Sequence, residues 1–328
     1  MKKEQEQEQD HDQNKKIQDR NQKKVKWKRM LLLSLGLLVF GTGIFSYNIY
    51  RTVANSVQTM YKPLEGDLSK LASVQLLEPV SILLMGVDER PGDEGRSDTM
   101  VVLTVNPKTE KTTMVSIPRD TKAYIPMKER YNKINAAYAY GGVEGAVETV
   151  EKFLDIPIHY YVKMNMEGFR DIVDAVGGID IDNPFAFTLE DVYIPEGKQH
   201  VDGKTALQYA RMRKEDPRGD FGRQQRQREV IEQVIKEGAS LRSLGNTTAI
   251  LNALEKNIET NLTLDQIITM QRSYSKASNQ IEQIEIKGEG GMFGGDIWYY
   301  VVDEQTKKEL SKALQKELEL ESVSSRKL

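Results

Sequence analysis

Twenty-one consecutive residues, Met30 to Tyr50, carry no charged side chain. As a helix rising about 1.5 Å per residue, the stretch would span roughly 31 Å, the thickness of a bilayer's hydrocarbon core. Lys23, Lys24, Lys26, Lys28 and Arg29 precede it, and a cationic flank keeps its side of a membrane helix cytoplasmic. Trp27 before it and Tyr47 and Tyr50 at its end suit the two interfaces, where rings with a polar edge are comfortable. The sequence thus predicts a polar cytoplasmic tail over 1–29, a transmembrane helix over 30–50, a juxtamembrane stalk over 51–77 and an external domain over 78–328. That is a single-pass anchor of type II orientation. A cleaved signal peptide is the alternative, but its basic region would be long and its apolar stretch exceeds the usual length.

With 328 residues the chain is long enough to bury a real core. Cysteine is absent, which removes disulfides, thiol nucleophiles and thiolate metal sites. His11, His159 and His200 are scattered, with no pair at zinc-ligand spacing. The first 29 residues hold 10 Lys+Arg against 6 Asp+Glu, leaving 36 against 43 for the rest. A mildly acidic domain has no long-range attraction for nucleic acid, so no nucleic-acid partner is expected.

Leu64, Leu68, Leu71 and Val74 recur at helical spacing within the stalk. Val80 to Val87, Met100 to Val105 and Thr112 to Ile117 read as strands, the last two joined through the turn Asn106-Pro107-Lys108-Thr109. Further strands are predicted at His159 to Met164 and Ile281 to Ile286. Helices are predicted at Val143 to Leu154, Met166 to Val176, Gly203 to Arg213, Phe221 to Glu237, Thr247 to Ile258, Leu264 to Ser275 and Glu304 to Leu318. The alternation implies an α/β fold, a layered mixed β-sheet flanked by helices.

Three polar clusters lie just beyond predicted strands, where layered α/β folds build their sites. The first holds Asp88 and Arg90, followed across a Pro-Gly loop by Arg96 and Asp98; the second is Arg119-Asp120. The third is an arginine-rich stretch from Arg211 to Arg228, in which cations outnumber acids within an acidic domain. On the helix from Phe221, Val230, Ile231, Val234 and Ile235 mark the buried stripe, and counting back by fours reaches Gln227 and Arg223. Arg211 and Arg213 fall near the inward side of the preceding helix by the same counting, whereas Arg226 and Arg228 read as surface. Guanidinium groups turned inward need an anion, and their forked donors match phosphate oxygens. Asp88 and Asp98 are hard oxygen ligands that beside phosphate suit Mg²⁺, with ion pairs to Arg90 or Arg96 as the alternative. Asp220 stands where a helix N-cap belongs. Lys133 and Asn135 are polar residues of unassigned role.

The runs VSILLMGVDERPGDEGRSDTMVVLTVNPKTEKTTMVSIPRD, KINAAYAYGG and LQYARMRKEDPRGDFGRQQRQREV, in order over residues 78–240, resemble the LytR-CpsA-Psr family. The resemblance implies a Mg²⁺-dependent phosphotransferase of the cell membrane of a Gram-positive bacterium. It would move an anionic glycopolymer such as wall teichoic acid from a polyprenyl diphosphate to peptidoglycan. By the family's motif, Asp88 and Asp98 match the metal and diphosphate position and Arg119 the arginine between them and the phosphates. Arg211, Arg213, Arg223 and Gln227 match diphosphate-binding side chains, and Arg90, Arg96, Asp120 and Asp220 match positions of less defined role. A non-catalytic lipid-diphosphate carrier, a membrane-bound regulator and a polyprenyl diphosphatase are the rival readings.

Overall fold

The computed structural model describes residues 40–64, 77–90, 93–240, 254–293 and 295–320. Two compact units divide the chain, residues 1–55 and 56–328. Among the described residues of the first unit, 40–55 are helical (α1), and 56–60 of the second are helical as well. No helix among the described residues is long and apolar enough to cross a membrane. Residues 30–39 of the apolar stretch lie outside the described residues, as do residues 65–76 of the stalk.

The second unit opens inside the segment read as stalk. Val57 and Met60 are buried, and the Lys62 amide donates to the Thr260 carbonyl at 2.8 Å. Beyond it runs a six-stranded sheet in the order β11-β6-β1-β2-β3-β12. Its members are β1 (Val80–Arg90), β2 (Asp93–Asn106), β3 (Lys111–Ser116), β6 (Tyr160–Met164), β11 (Ile258–Thr260) and β12 (Ile281–Glu285). The β1-β2 and β2-β3 pairs are antiparallel, whereas β6 joins β1 and β12 joins β3 in parallel. The mixed layered sheet expected from the sequence is the one present.

Strand periodicity sends alternate side chains to opposite faces, and both faces are covered. On one face Leu83, Met85, Val102 and Val115 pack with Val147 and Val150 of α2 (Ala136–Leu154) and Leu310 and Leu314 of α7 (Glu304–Glu317). On the other, Val101, Leu103 and Met114 meet Ile231 and Ile235 of α5 (Asp220–Ser240). The chain forms α3 (Met166–Ala175), α4 (Gly203–Arg211) and α6 (Leu264–Ser273). It also forms the hairpins β4 (Lys122–Ile125) with β5 (Arg130–Lys133), β7 (Ile179–Asn183) with β10 (Gly197–Val201), β8 (Phe187–Leu189) with β9 (Val192–Ile194), and β13 (Glu289–Met292) with β14 (Trp298–Val301).

Two local readings shift at their ends. Of the helix expected at 247–258, residues 247–253 lie outside the described residues and 254–257 are helical, whereas Ile258 belongs to β11, which pairs residue by residue with β6 at the sheet edge. The helix expected to reach Arg213 stops at Arg211, with Met212 extended at its C-cap. The Ala-Tyr-Ala-Tyr run instead begins α2, which bends at Gly141 and Gly142, the latter at φ +59, a conformation glycine adopts without strain.

Candidate active site

A cavity of about 210 Å³ lies between the sheet and the helices α3, α4 and α5. Leu84, Phe169, Leu207 and Ile231 supply apolar walls, and Asp88, Asp98, Arg211, Arg223 and Gln227 supply polar ones. Three segments far apart in the chain therefore converge on one space.

Local backbone explains how the acids arrive there. Gly86 pairs with Thr99 and Val87 with Ser97, so Asp98 is the extra residue of a β-bulge. A bulge re-aims a side chain that regular alternation would direct elsewhere. Asp98 Oδ2 then meets Arg119 at 3.2 Å. Arg119 follows β3, and the Asn135 amide donates to its carbonyl at 3.2 Å, which holds the residue from the start of α2. Asp120 stands 3.7 Å from Arg119 and 2.6 Å from Lys133.

On the opposite side the Asp220 carboxylate begins α5. It lies 2.7 Å from Arg223 and 3.8 Å from Arg213, and it accepts from Gln224 at 3.1 Å. Its role is thus to hold side chains within its helix and the preceding loop. Burial lowers the Arg119 pKa, but the carboxylates of Asp98, Asp220 and Asp120 outweigh that effect and hold it above its ordinary value. Burial pulls Arg223 the other way, and neighbouring Arg119 adds to the depression that Asp220 opposes. The Arg223 Nε–H is buried and meets no acceptor among the described residues. An unpaired buried donor is costly, and Arg223 lines the cavity.

The other expected residues divide. Arg211 lines the cavity and lies 3.0 Å from Glu190. Arg213 is 53% exposed and lies beyond the helix, so it rests on the loop and not on an inward helical face. Arg96 pairs across the strands with Asp88 in register, yet its side chain is exposed. Arg90 is the last residue of β1, and its side chain lies outside the described residues.

Arg226 and Arg228 were expected on the surface, and both are buried, at 2% and 7% exposure. The stripe is centred on Val230, and four residues before Val230 is Arg226, not Gln227. Arg226 donates to the Tyr209 carbonyl at 3.0 Å and to the Asp216 carboxylate at 2.6 Å. Arg228 donates to Gln283 at 3.1 Å. Asp216, Glu190 and Gln208 are supporting residues that pattern reading missed, since each acts on a partner distant in sequence.

Among the described residues no three histidine, aspartate or glutamate side chains converge as a self-sufficient metal site. Two aspartates at one cavity wall fit Mg²⁺ all the same, because that ion is commonly held by one or two carboxylates plus phosphate oxygens and water.

The model of the LytR_cpsA_psr family matches residues 45–316. A Bacillus cereus protein named polyisoprenyl-teichoic acid–peptidoglycan teichoic acid transferase TagU is 49% identical over 289 residues, covering 87% of this chain and 95% of that protein. The crystal structure of Bacillus subtilis TagU is similar with a TM-score of 0.59 and 45% identity, over 74% of this chain and 97% of that one. A structure described as TagT bound to LI-WTA is similar with a TM-score of 0.62 and 30% identity, over 78% and 94% of the two chains. The match spans the whole sheet, the cavity and the arginine-bearing helix together, and the chain belongs to the LytR-CpsA-Psr family.

Proposed function

We propose that the chain is a phosphotransferase that moves an anionic glycopolymer of the wall teichoic acid type from a polyprenyl diphosphate to peptidoglycan. The observation that carries this reading is the composition of the cavity, apolar inside and lined at one side by two aspartates, two arginines and a glutamine. A polyprenyl chain suits the Leu84, Phe169, Leu207 and Ile231 walls, and a diphosphate suits the guanidinium groups. The relatives named as teichoic acid transferases and the similar structure bound to LI-WTA support the polymer class.

Arg211 and Arg223 bind the diphosphate oxygens, with Gln227 as a neutral donor and Arg119 reaching them beside Asp98. An acceptor hydroxyl oxygen of peptidoglycan attacks the phosphorus that bears the polymer. The bond from that phosphorus to the bridging oxygen breaks, and polyprenyl phosphate leaves. Asp98 or Asp88 takes the hydroxyl proton. Phosphoryl transfer needs mainly positioning and charge stabilisation, which fixed guanidinium groups in a partly dry cavity supply. Asp88 and Asp98 would hold Mg²⁺, and a bound ion would further neutralise the diphosphate. Arg90, Arg96, Arg213, Asp120 and Asp220 support the same site in this reading. Residues 30–50 anchor the enzyme in the cell membrane with the catalytic domain outside, beside the leaflet that presents the donor.

Full-length protein in detergent, given lipid-linked donor and peptidoglycan, should release polyprenyl phosphate and leave polymer on the glycan. Arg119→Ala should slow release by about a hundredfold or more. An unchanged rate would remove Arg119 from the site.

A further inference from the structure

Outside the cavity, a second depression of about 500 Å³ lies between the β4–β5 hairpin, the end of α2 and the start of α7. Lys122, Tyr124 and Tyr131 come from the hairpin, Lys152 from α2, and Lys307 and Lys308 from α7. We propose that this groove binds the repeating phosphates of the polymer that extends from the reacting diphosphate, a deepening that rests on the transferase reading above.

Charge is the first argument. The groove also contains Asp155 and Glu304; Glu304 is neutralised by a lysine, whereas Asp155 is bonded to a neutral amide and keeps its charge. Glu304 pairs with Lys307 at 2.6 Å, and Asp155 accepts from Gln315 at 3.1 Å. Lys122, Lys152 and Lys308 have no carboxylate partner among the described residues. Four lysines against two carboxylates leave a net excess of two ammonium groups in one groove of an otherwise acidic domain, which favours a polyanion.

Shape and chemistry are the second. The Tyr124 and Tyr131 rings meet edge to face at 5.5 Å, and the Lys122 ammonium lies 5.7 Å from the Tyr131 centroid and 5.9 Å from that of Tyr299. Tyr131 remains 61% exposed. Aromatic faces beside cations offer carbon-rich polyol or sugar units a surface while the lysines meet their phosphates.

Register supplies the third. Lys122 pairs across the hairpin with Lys133, and Tyr124 with Tyr131, so all four side chains share one face and the two pairs stand about 7 Å apart along it. Lys133 holds Asp120, which stands beside Arg119 at the diphosphate site. A polymer whose first phosphorus is held near Arg119 therefore meets Lys122, Tyr124 and Tyr131 on one face of the hairpin on its way into the groove.

The test uses full-length protein and a short, lipid-free poly(glycerol phosphate) oligomer. Binding should be detectable by titration calorimetry, weaken as salt is raised, and fall by about tenfold in the triple variant Lys122→Gln, Lys152→Gln, Lys308→Gln. The corresponding triple arginine variant should bind as wild type. In transfer assays the glutamine variant should raise KM for a donor carrying a long polymer, with kcat kept, and leave a donor carrying only the first sugars unaffected. Undiminished oligomer binding, equal effects on both donors, or association with anionic vesicles in place of the oligomer would each overturn the groove assignment. Absence of transfer from every donor by wild-type protein would instead sink the transferase reading, and oligomer binding would still decide the groove.

Discussion

Arg226 and Asp216 form an ion pair of 2.6 Å with both side chains buried, and it joins the loop bearing Arg213 to the helix bearing Arg223 and Gln227. The same guanidinium bonds the Tyr209 and Met212 carbonyls, so one side chain secures the end of α4 as well. Removing one partner of such a pair strands a buried charge, which typically costs about 3–5 kcal/mol. Arg226→Ala should lower unfolding free energy by that order in a urea titration. Arg226→Met with Asp216→Leu should lose less than Arg226→Ala alone, and a larger loss would contradict the account.

Gly222 lies one turn before Arg226, and a Cβ there would stand 1.8 Å from Asp216 Oδ2. Alanine must therefore push the carboxylate off its partners. Gly222→Ala should destabilise the protein and reduce donor transfer together, while Gly219→Ala, with nothing near its Cβ, should cost only the strain of its positive φ. Comparable losses of transfer in the two variants would argue against displacement of Asp216.

If the apolar end of the cavity holds the lipid, filling it should discriminate by chain length. Ile231→Trp should raise KM by about tenfold for a donor with a full polyprenyl chain and much less for a short-chain analogue, since the lost contact scales with buried CH₂ groups. Equal KM changes for the two donors would place the chain elsewhere.

His159 gives the fold an acid limit. Its Nδ1 accepts from the Ser81 amide at 3.1 Å and lies 2.7 Å from Ser81 Oγ, contacts that suit a neutral ring. Burial lowers its pKa below the ordinary 6.5. The unfolded chain therefore takes up the proton first, so stability is complete above about 6.5 and declines as pH falls toward the folded value. His159→Asn retains an acceptor and should flatten that decline in thermal melts between pH 7 and 5, roughly the range over which an ordinary histidine titrates. A wild-type slope kept in the variant would assign the acid loss to other groups.

The apolar stretch at 30–50 is proposed to position the enzyme without taking part in chemistry. Exchanging it for a cleavable signal should preserve transfer from soluble donor analogues and reduce transfer from donor embedded in vesicles. Equal loss on both would give the segment a larger role.

Local pattern was enough for five of the six sheet strands and most helices because each buries a face whose period is written in consecutive residues; β11, three residues at the sheet edge, was absorbed at its start into a helical reading. The β4–β5 and β13–β14 hairpins escaped local pattern. Lys122 to Lys133 is short and polar and Glu289 to Val301 is interrupted by glycines, and their pairing is settled by contacts such as the Tyr300 amide on the Asp120 carbonyl. Asp88, Asp98, Arg211, Arg223 and Gln227 were legible as polar residues at strand ends or on a helix stripe, and the fold brings all five to one cavity. Arg226 was misread because helical phase is continuous, and a stripe counted from Ile231 differs by one residue from the stripe counted from Val230. Sequence by itself determined the layered α/β architecture, the family and the inventory of acids and guanidinium groups. Only tertiary structure decided which arginine is spent inside the fold and which is left for an anion, because a guanidinium's role depends on the carboxylates and carbonyls that other segments bring within about 3 Å.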